Sequence, residues 1–262
     1  MKGSEPAGGN PFGIAEALIG LAAGFLLSIL ALSAYDSASH VSGSTTTTGG
    51  TVLSLVCLWV GFVGAAVVAS RLRVREETVR GGGTALERRG TGSVVADYGL
   101  RLRPWPDIPV GVVVGVASQF LLVPLLELPL RPFVHNLSQR LGHPTRQLLG
   151  PASAGTASLV VLSLLICVGS PVVEELFFRG LVLRAALWRF RDVGRRAGPA
   201  LAIVLTGLFF GLVHFEALQF LGLAGFGMVL GVLAWRSGRL GPSIVAHMAF
   251  NATTVIAYVL TH

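Results

Sequence analysis

Long apolar runs are the feature of this 262-residue sequence that most restricts its fold. A helix needs about 17–25 mostly apolar residues to cross a bilayer, and only 13% of the residues here are charged, against about 25% in soluble domains. Runs of this length recur along the chain, at residues 14–34, 52–69, 110–128, 158–188, 199–215, 218–235 and 242–260. The sequence therefore predicts an all-α fold, a polytopic membrane bundle of about seven transmembrane helices. An eighth short or re-entrant segment stays open.

The basic residues lie mostly in the linkers between these runs, and the longest basic linker, residues 71–103, is expected to be a solvated connector. If this linker is cytoplasmic, residues 189–196 and 236–239 also fall inside, and few arginines remain outside. Those outside are Arg131, Arg140 and Arg146. This arrangement satisfies the positive-inside rule and predicts a cytoplasmic N-terminus. Topology thus accounts for the net charge of +7, and we expect no nucleic-acid partner.

Six polar side chains lie at predicted membrane depth and are the candidate site residues. They are Glu174, Glu175 and Arg179 in the fourth run, His214 in the fifth, and His247 and Asn251 in the seventh. Such groups are costly in lipid and usually face a protein interior or a wet cavity. The sequence therefore predicts a polar intramembrane site between helices four, five and seven.

The two glutamates are expected to differ. Glu175 and Arg179 are four residues apart on one helix face, with the glutamate first, the better orientation for an ion pair. Glu174 is rotated from that face by about 100°. Neighbouring carboxylates in different environments suit general acid–base chemistry, and Glu174 is the one we expect to activate water. A buried cluster that only fixes helix packing is the alternative.

Two kinds of chemistry remain open for these groups. Two histidines and a carboxylate could bind zinc with a free position for water, the ligands then being Glu174, His214 and His247. The same groups could act without metal, with glutamate as base and the histidine and asparagine side chains as oxyanion donors. No His-Glu-x-x-His helix is present.

The geometry of straight helices raises one difficulty. Straight spans would leave His214 and His247 about 15 Å apart in depth. Either the fifth span starts deeper than Pro199, or tilt and a cavity bring the two residues together. The fourth run is also longer than a span needs, and a bend is expected at Gly169 and Pro171.

Three motifs follow one another on apolar helices: Glu174-Glu175-x-x-x-Arg179, Phe210-x-x-x-His214 and His247-x-x-x-Asn251. Together they resemble the CPBP family of intramembrane proteases, which includes CAAX prenyl proteases of the Rce type and the Abi proteins linked to bacteriocin self-immunity. The likeness is strongest over residues 159–258. It suggests that residues 1–95 form an N-terminal tail, two accessory spans and a basic cytoplasmic linker, and that residues 96–262 form the protease-like domain.

The resemblance implies an integral protein of the bacterial plasma membrane that contacts lipids and hydrolyses a peptide bond of a membrane-associated or membrane-proximal substrate. It implies that Glu174 activates the water, with Glu175 and Arg179 in support. The residues implied to orient the water and stabilise the oxyanion are His214, His247 and Asn251. Both a glutamate-type and a metal-dependent mechanism stay open, and no oligomeric state is predicted.

Two other functions are alternatives. One is a catalytically silent bacteriocin-immunity or partner-binding membrane protein on the same scaffold. The other is a small-solute transporter, which is disfavoured because the sequence shows no inverted repeat or paired broken helices.

Overall fold

The computed structural model describes residues 13–39, 47–71, 73–77, 84–88, 91–150 and 155–261. Within these ranges the fold is helical apart from one hairpin. The elements in chain order are α1 (Ile14–Ser39), α2 (Thr48–Arg71), β1 (Arg73–Glu77), β2 (Thr84–Arg88), α3 (Val94–Tyr98), α4 (Pro104–Leu130), α5 (Leu137–Leu141), α6 (His143–Leu149), α7 (Thr156–Arg189), α8 (Ala197–Leu212), α9 (Phe220–Ser237) and α10 (Gly241–Thr261).

Six of the described helices are long and apolar enough to cross a membrane: α1, α2, α4, α7, α9 and α10. They match six of the predicted runs and confirm an integral, helical membrane protein. The fifth predicted span, residues 199–215, corresponds to α8, which is apolar but has only 16 residues. Its rise of about 24 Å is less than the roughly 30 Å of a hydrocarbon core. A seventh crossing therefore stays a prediction.

A hairpin lies in the basic linker, where only a connector was expected. Strand β1 pairs antiparallel with β2, in a register that runs from Arg73 opposite Arg88 to Glu77 opposite Thr84. The sequence places three glycines, at positions 81–83, between the strands, and glycine is favoured in the connections of hairpins. This hairpin belongs to the connector, and the fold is helical as predicted.

Helices α1 and α2 pack tightly on each other and join the main core. A Cβ atom on Gly61 would lie only 2.4 Å from the Cα of Gly24, so glycine at both positions allows the two backbones to touch. On its other side α2 meets α7, where the ring of Phe62 stacks on that of Phe177 with centroids 4.2 Å apart. The two spans predicted to be accessory therefore support the helix that carries the glutamates.

Segment 97–101 is bound to α7 at one end of the bundle. Arg184 donates hydrogen bonds to the carbonyl oxygens of Asp97 and Tyr98, both at 2.9 Å. The buried Tyr98 hydroxyl donates to the carbonyl of Ala66 in α2 at 2.8 Å. Partial burial raises the pKa of Asp97, but hydrogen bonds from Ser70 and from Thr91 outweigh this effect, so its pKa lies below the ordinary value.

A buried ion pair joins the start of α4 to the loop before α10 at the same end. Asp107 has no exposed surface and forms a salt bridge with Arg239, whose Nε donates to Asp107 Oδ2 at 3.1 Å. The same oxygen accepts a hydrogen bond from the backbone N–H of Arg103 at 2.8 Å. Several of the arginines predicted to be cytoplasmic therefore lie at one end of the bundle. Which side of the membrane this end faces stays a prediction.

Candidate functional site

Helix α7 departs from α-helical geometry on both sides of the two glutamates. Wider π turns span Leu165–Gly169 and Leu176–Val182, and the α-helical stretch Ser170–Glu175 lies between them. The first π turn lies where the bend was expected. Single π turns inside α-helices are uncommon and are frequently found at functional sites.

The first π turn leaves a backbone carbonyl without a donor in its own helix, and α10 supplies one. The N–H of Ser170 bonds to Leu165, and Pro171, the next possible donor for the carbonyl of Ile166, has no N–H. The side-chain amide of Asn251 donates to this carbonyl at 2.8 Å. Asn251 therefore fixes α10 against α7 one helical turn away from His247.

Glu175 is the centre of a buried polar cluster. Its side chain has no exposed surface, and its Oε1 accepts a hydrogen bond from Arg179 Nη1 at 2.7 Å. The same oxygen lies 3.0 Å from Nδ1 of His247, so the imidazole donates from that nitrogen and turns Nε2 the other way. The structure contains the ion pair that the four-residue spacing predicted and adds His247 to it.

Arg179 is held on three sides. Besides Glu175, its guanidinium donates from Nη2 to the carbonyl of Gly227 in α9 at 3.0 Å. Its Cζ lies 4.4 Å from the centre of the Phe210 ring in α8, within the range of a cation–π contact. With 3% of its side chain exposed, Arg179 depends on these contacts to be tolerated at this depth.

Glu174 lies beside this cluster but outside the ion pair. Its side chain is 18% exposed, and its Oε2 lies 3.9 Å from Nε2 of His247, too far for a direct hydrogen bond. Although this oxygen atom is buried, it has no hydrogen-bond partner in the described part of the chain. The two glutamates therefore differ as the sequence predicted, because Oε1 of Glu175 binds both Arg179 and His247 whereas Glu174 lies outside the ion pair. The second oxygen of Glu175, Oε2, is also buried without a hydrogen-bond partner among the described residues.

His214 follows the end of α8. Its Nδ1 lies 2.6 Å from the carbonyl oxygen of Phe210, one of the carbonyls that lack a backbone donor at a helix terminus. Its ring centre is 4.6 Å from that of Phe210, and the ring of His247 is 5.8 Å from the same phenyl ring. The two imidazoles are thus closer than the 15 Å or so expected for straight spans. Within the described residues, no hydrogen bond or ion pair joins His214 to either glutamate.

The side chains do not form a metal site in this geometry. Among the described residues, no group of three or more His, Cys, Asp or Glu side chains is arranged to hold a metal ion. The expected zinc ligands Glu174, His214 and His247 do not come together as one ligand set. Nδ1 of His247 is also already bonded to Glu175.

Aromatic side chains enclose the cluster, and the sequence reasoning gave them no role. Phe210 contacts Arg179 and both histidines, and Phe226 lies edge-on to His247 with ring centres 5.6 Å apart. The position of Phe210 four residues before His214 was the available signal. No sequence pattern indicated that the carbonyl groups of Ile166 and Gly227 would accept the side-chain hydrogen bonds.

Comparison with protein-family models found that residues 156–253 match the model described as type II CAAX prenyl endopeptidase, Rce1-like. This range lies inside the predicted protease-like domain and contains all six candidate site residues. Comparisons with curated proteins and with solved structures found no significant match. The family model that residues 156–253 match is thus the Rce1-like one, the family that the motifs predicted.

Proposed function

We propose that this protein is an intramembrane endopeptidase, in which a water molecule activated by Glu174 hydrolyses a peptide bond of a membrane-associated or membrane-proximal substrate. One observation carries the proposal. The free Oε2 of Glu174 lies 3.9 Å from Nε2 of His247, and the other ring nitrogen of this histidine is held by Glu175. One water molecule can contact two polar atoms at this separation.

The charges of the cluster support acid–base chemistry. Glu174 and Glu175 contribute two negative charges and Arg179 contributes one positive charge. A net charge is costly where the dielectric constant is low. The imidazole of His247, 3.0 Å from Glu175 and 3.9 Å from Glu174, is the neighbouring group that can carry a compensating positive charge. With Glu174 ionised and His247 protonated, a base and a hydrogen-bond donor face the same point.

The proposed reaction follows from this arrangement. Glu174 takes a proton from water while the water oxygen forms a bond to the carbonyl carbon of the substrate. The Nε2–H of His247 donates a hydrogen bond to the oxyanion that develops. Glu174 then transfers the proton to the leaving nitrogen as the C–N bond breaks, which restores the starting carboxylate. Glu175 holds His247 in place and stabilises its positive charge, while Arg179 holds Glu175.

Asn251 and His214 have supporting roles in this proposal. One amide hydrogen of Asn251 is bonded to Ile166, so we assign Asn251 to positioning α10 rather than to the oxyanion. Nδ1 of His214 is bonded to a carbonyl, which fixes the tautomer and leaves Nε2 available for water or substrate. No step is assigned to a metal.

The test compares peptide termini in cells that produce the wild-type protein, Glu174→Gln or Glu127→Gln at equal levels. Glu127 lies near the end of α4 and is a matched control for removing a carboxylate from a membrane helix. We expect termini that are present with wild type and Glu127→Gln and absent with Glu174→Gln. Termini that persist with Glu174→Gln would contradict the assignment, and a variant that still protects cells from a bacteriocin would favour the catalytically silent alternative.

A further inference from the structure

The end of the bundle opposite the Asp107–Arg239 pair contains a second polar feature, separate from the glutamate cluster. Helices α5 and α6, between α4 and α7, lie beside the turn that joins α8 to α9, and Gln219 Nε2 donates to the carbonyl of Leu141 at 2.6 Å. The two segments enclose an open cavity of about 510 Å³. Its charged and titratable lining groups are Arg140, His143, Arg146 and Glu216.

The positive charge of this cavity is not neutralised by the protein. None of these four side chains takes part in an ion pair within the described part of the chain. The guanidinium of Arg146 donates to the carbonyl of Gln139, whereas that of Arg140 makes no hydrogen bond to any described residue. Two arginines therefore face one carboxylate, and the excess positive charge is suited to an anionic ligand.

The position of the cavity at the start of a span favours a place near one surface of the membrane. Its residue Leu218 is two positions before the start of α9, a candidate membrane span. Phe215 and Phe133, in the two neighbouring segments, are 76% and 82% exposed. Large exposed apolar side chains of this kind indicate a surface that can meet lipid. The predicted topology also gives Arg140 and Arg146 no role, because it places them on the side that is poor in positive charge.

We propose that this cavity binds the phosphate group of an anionic phospholipid in the adjacent leaflet. Guanidinium groups pair with phosphate through two parallel hydrogen bonds, and basic pockets between membrane helices bind phosphorylated headgroups. The volume accommodates a phosphate with a small polar headgroup. The turn that carries Glu216 also carries His214, so a bound headgroup would hold this turn next to the glutamate cluster.

The test measures lipid binding by the full-length protein, purified in detergent, with native mass spectrometry. Short-chain phosphatidylglycerol and phosphatidylcholine are titrated separately at low ionic strength. Wild type is expected to bind phosphatidylglycerol more tightly. Replacing both arginines, Arg140→Gln with Arg146→Gln, is expected to weaken this binding about thirty-fold, which corresponds to ~1 kcal/mol for each arginine near a charged surface. The matched control, Arg195→Gln with Arg196→Gln, removes two exposed arginines from the linker before α8 and is expected to change nothing.

A second variant keeps the test decisive if the double arginine variant does not fold. Glu216→Gln removes the negative charge of the cavity and is expected to strengthen phosphatidylglycerol binding about five-fold, by the same estimate. Equal binding of the two lipids by wild type would overturn the proposal, as would no loss in the arginine variant or no gain in Glu216→Gln. Inorganic phosphate that displaces the lipid at equal concentration would also overturn it, in favour of a free-phosphate site.

Discussion

The same substitution should affect the stability of the protein very differently at the two adjacent glutamates. Replacing Glu175 with glutamine leaves Arg179 buried without its negative partner, while replacing Glu174 removes no hydrogen bond from the described structure. We therefore expect Glu175→Gln to lower the free energy of unfolding strongly and Glu174→Gln to leave it nearly unchanged. Loss of peptide cleavage by Glu174→Gln would then not be explained by unfolding.

The magnitude follows from the burial of the pair. Glu175 is 0% and Arg179 is 3% exposed, and removing one partner of a buried ion pair costs about 3–5 kcal/mol. Glutamine keeps one acceptor oxygen, and Arg179 keeps its bond to Gly227, so the lower end of about 3 kcal/mol is expected. For Glu174→Gln, whose side chain is 18% exposed and unbonded at Oε2, we expect a change within about 0.5 kcal/mol.

The assay is equilibrium unfolding by sodium dodecyl sulfate in mixed micelles, followed by circular dichroism for each variant. The double variant Glu175→Gln with Arg179→Met is a control, because it also removes the cation that has lost its partner. It should be less destabilised than the sum of its two single variants. Equal effects of the two glutamate substitutions, or a change below about 1 kcal/mol for Glu175→Gln, would refute the reasoning.

Three further predictions use the same unfolding assay. Asn251→Leu removes the donor for the carbonyl of Ile166 and should cost about 1–3 kcal/mol; an unchanged value would contradict this bond. Asp107→Asn leaves Arg239 unpaired and should lower the free energy of unfolding by about 3 kcal/mol. A change below about 0.5 kcal/mol, as substitutions at exposed positions usually give, would argue against the buried pair. Asp97 has a lowered pKa, so its stabilising effect should be full above about pH 4 and lost as the pH falls through the lowered value. Asp97→Asn should therefore be less stable than wild type at pH 6, and the difference should shrink on acidification.

The sequence could predict those features of the site that depend on local spacing. Glu175 and Arg179 are four residues apart on one helix, so their pairing needs no knowledge of the tertiary structure. Six of the seven predicted spans likewise correspond to helices long and apolar enough to cross a membrane, because length and hydropathy suffice to recognise a span. The order of the three motifs was enough to predict the family of residues 156–253.

Features that depend on irregular backbone could not be predicted in this way. The bond between Asn251 and Ile166 exists because a π turn and a proline together free one carbonyl, and neither the turn nor its register can be read from hydropathy. The end of α8 at Leu212 was not predicted either, and there the side chain of His214 bonds to the carbonyl of Phe210, which the backbone N–H of residue 214 would bind in a continuing helix. Straight α-helical geometry therefore overestimated the depth that separates the two histidines.

The remaining question is why a membrane helix carries two carboxylates and an arginine at all. A buried ion pair rarely stabilises a protein more than apolar side chains of similar volume would, so stability alone does not account for Glu175 and Arg179. A cluster that served packing only would also bond each of its polar atoms, because a buried unbonded oxygen costs about 1–3 kcal/mol. The Oε2 atoms of Glu174 and Glu175 both depart from that expectation, and that of Glu174 lies 3.9 Å from Nε2 of His247. Under the proposed function, we infer that the ion pair exists to hold His247, and that the cost of the unbonded Glu174 oxygen is retained because water and substrate bind there.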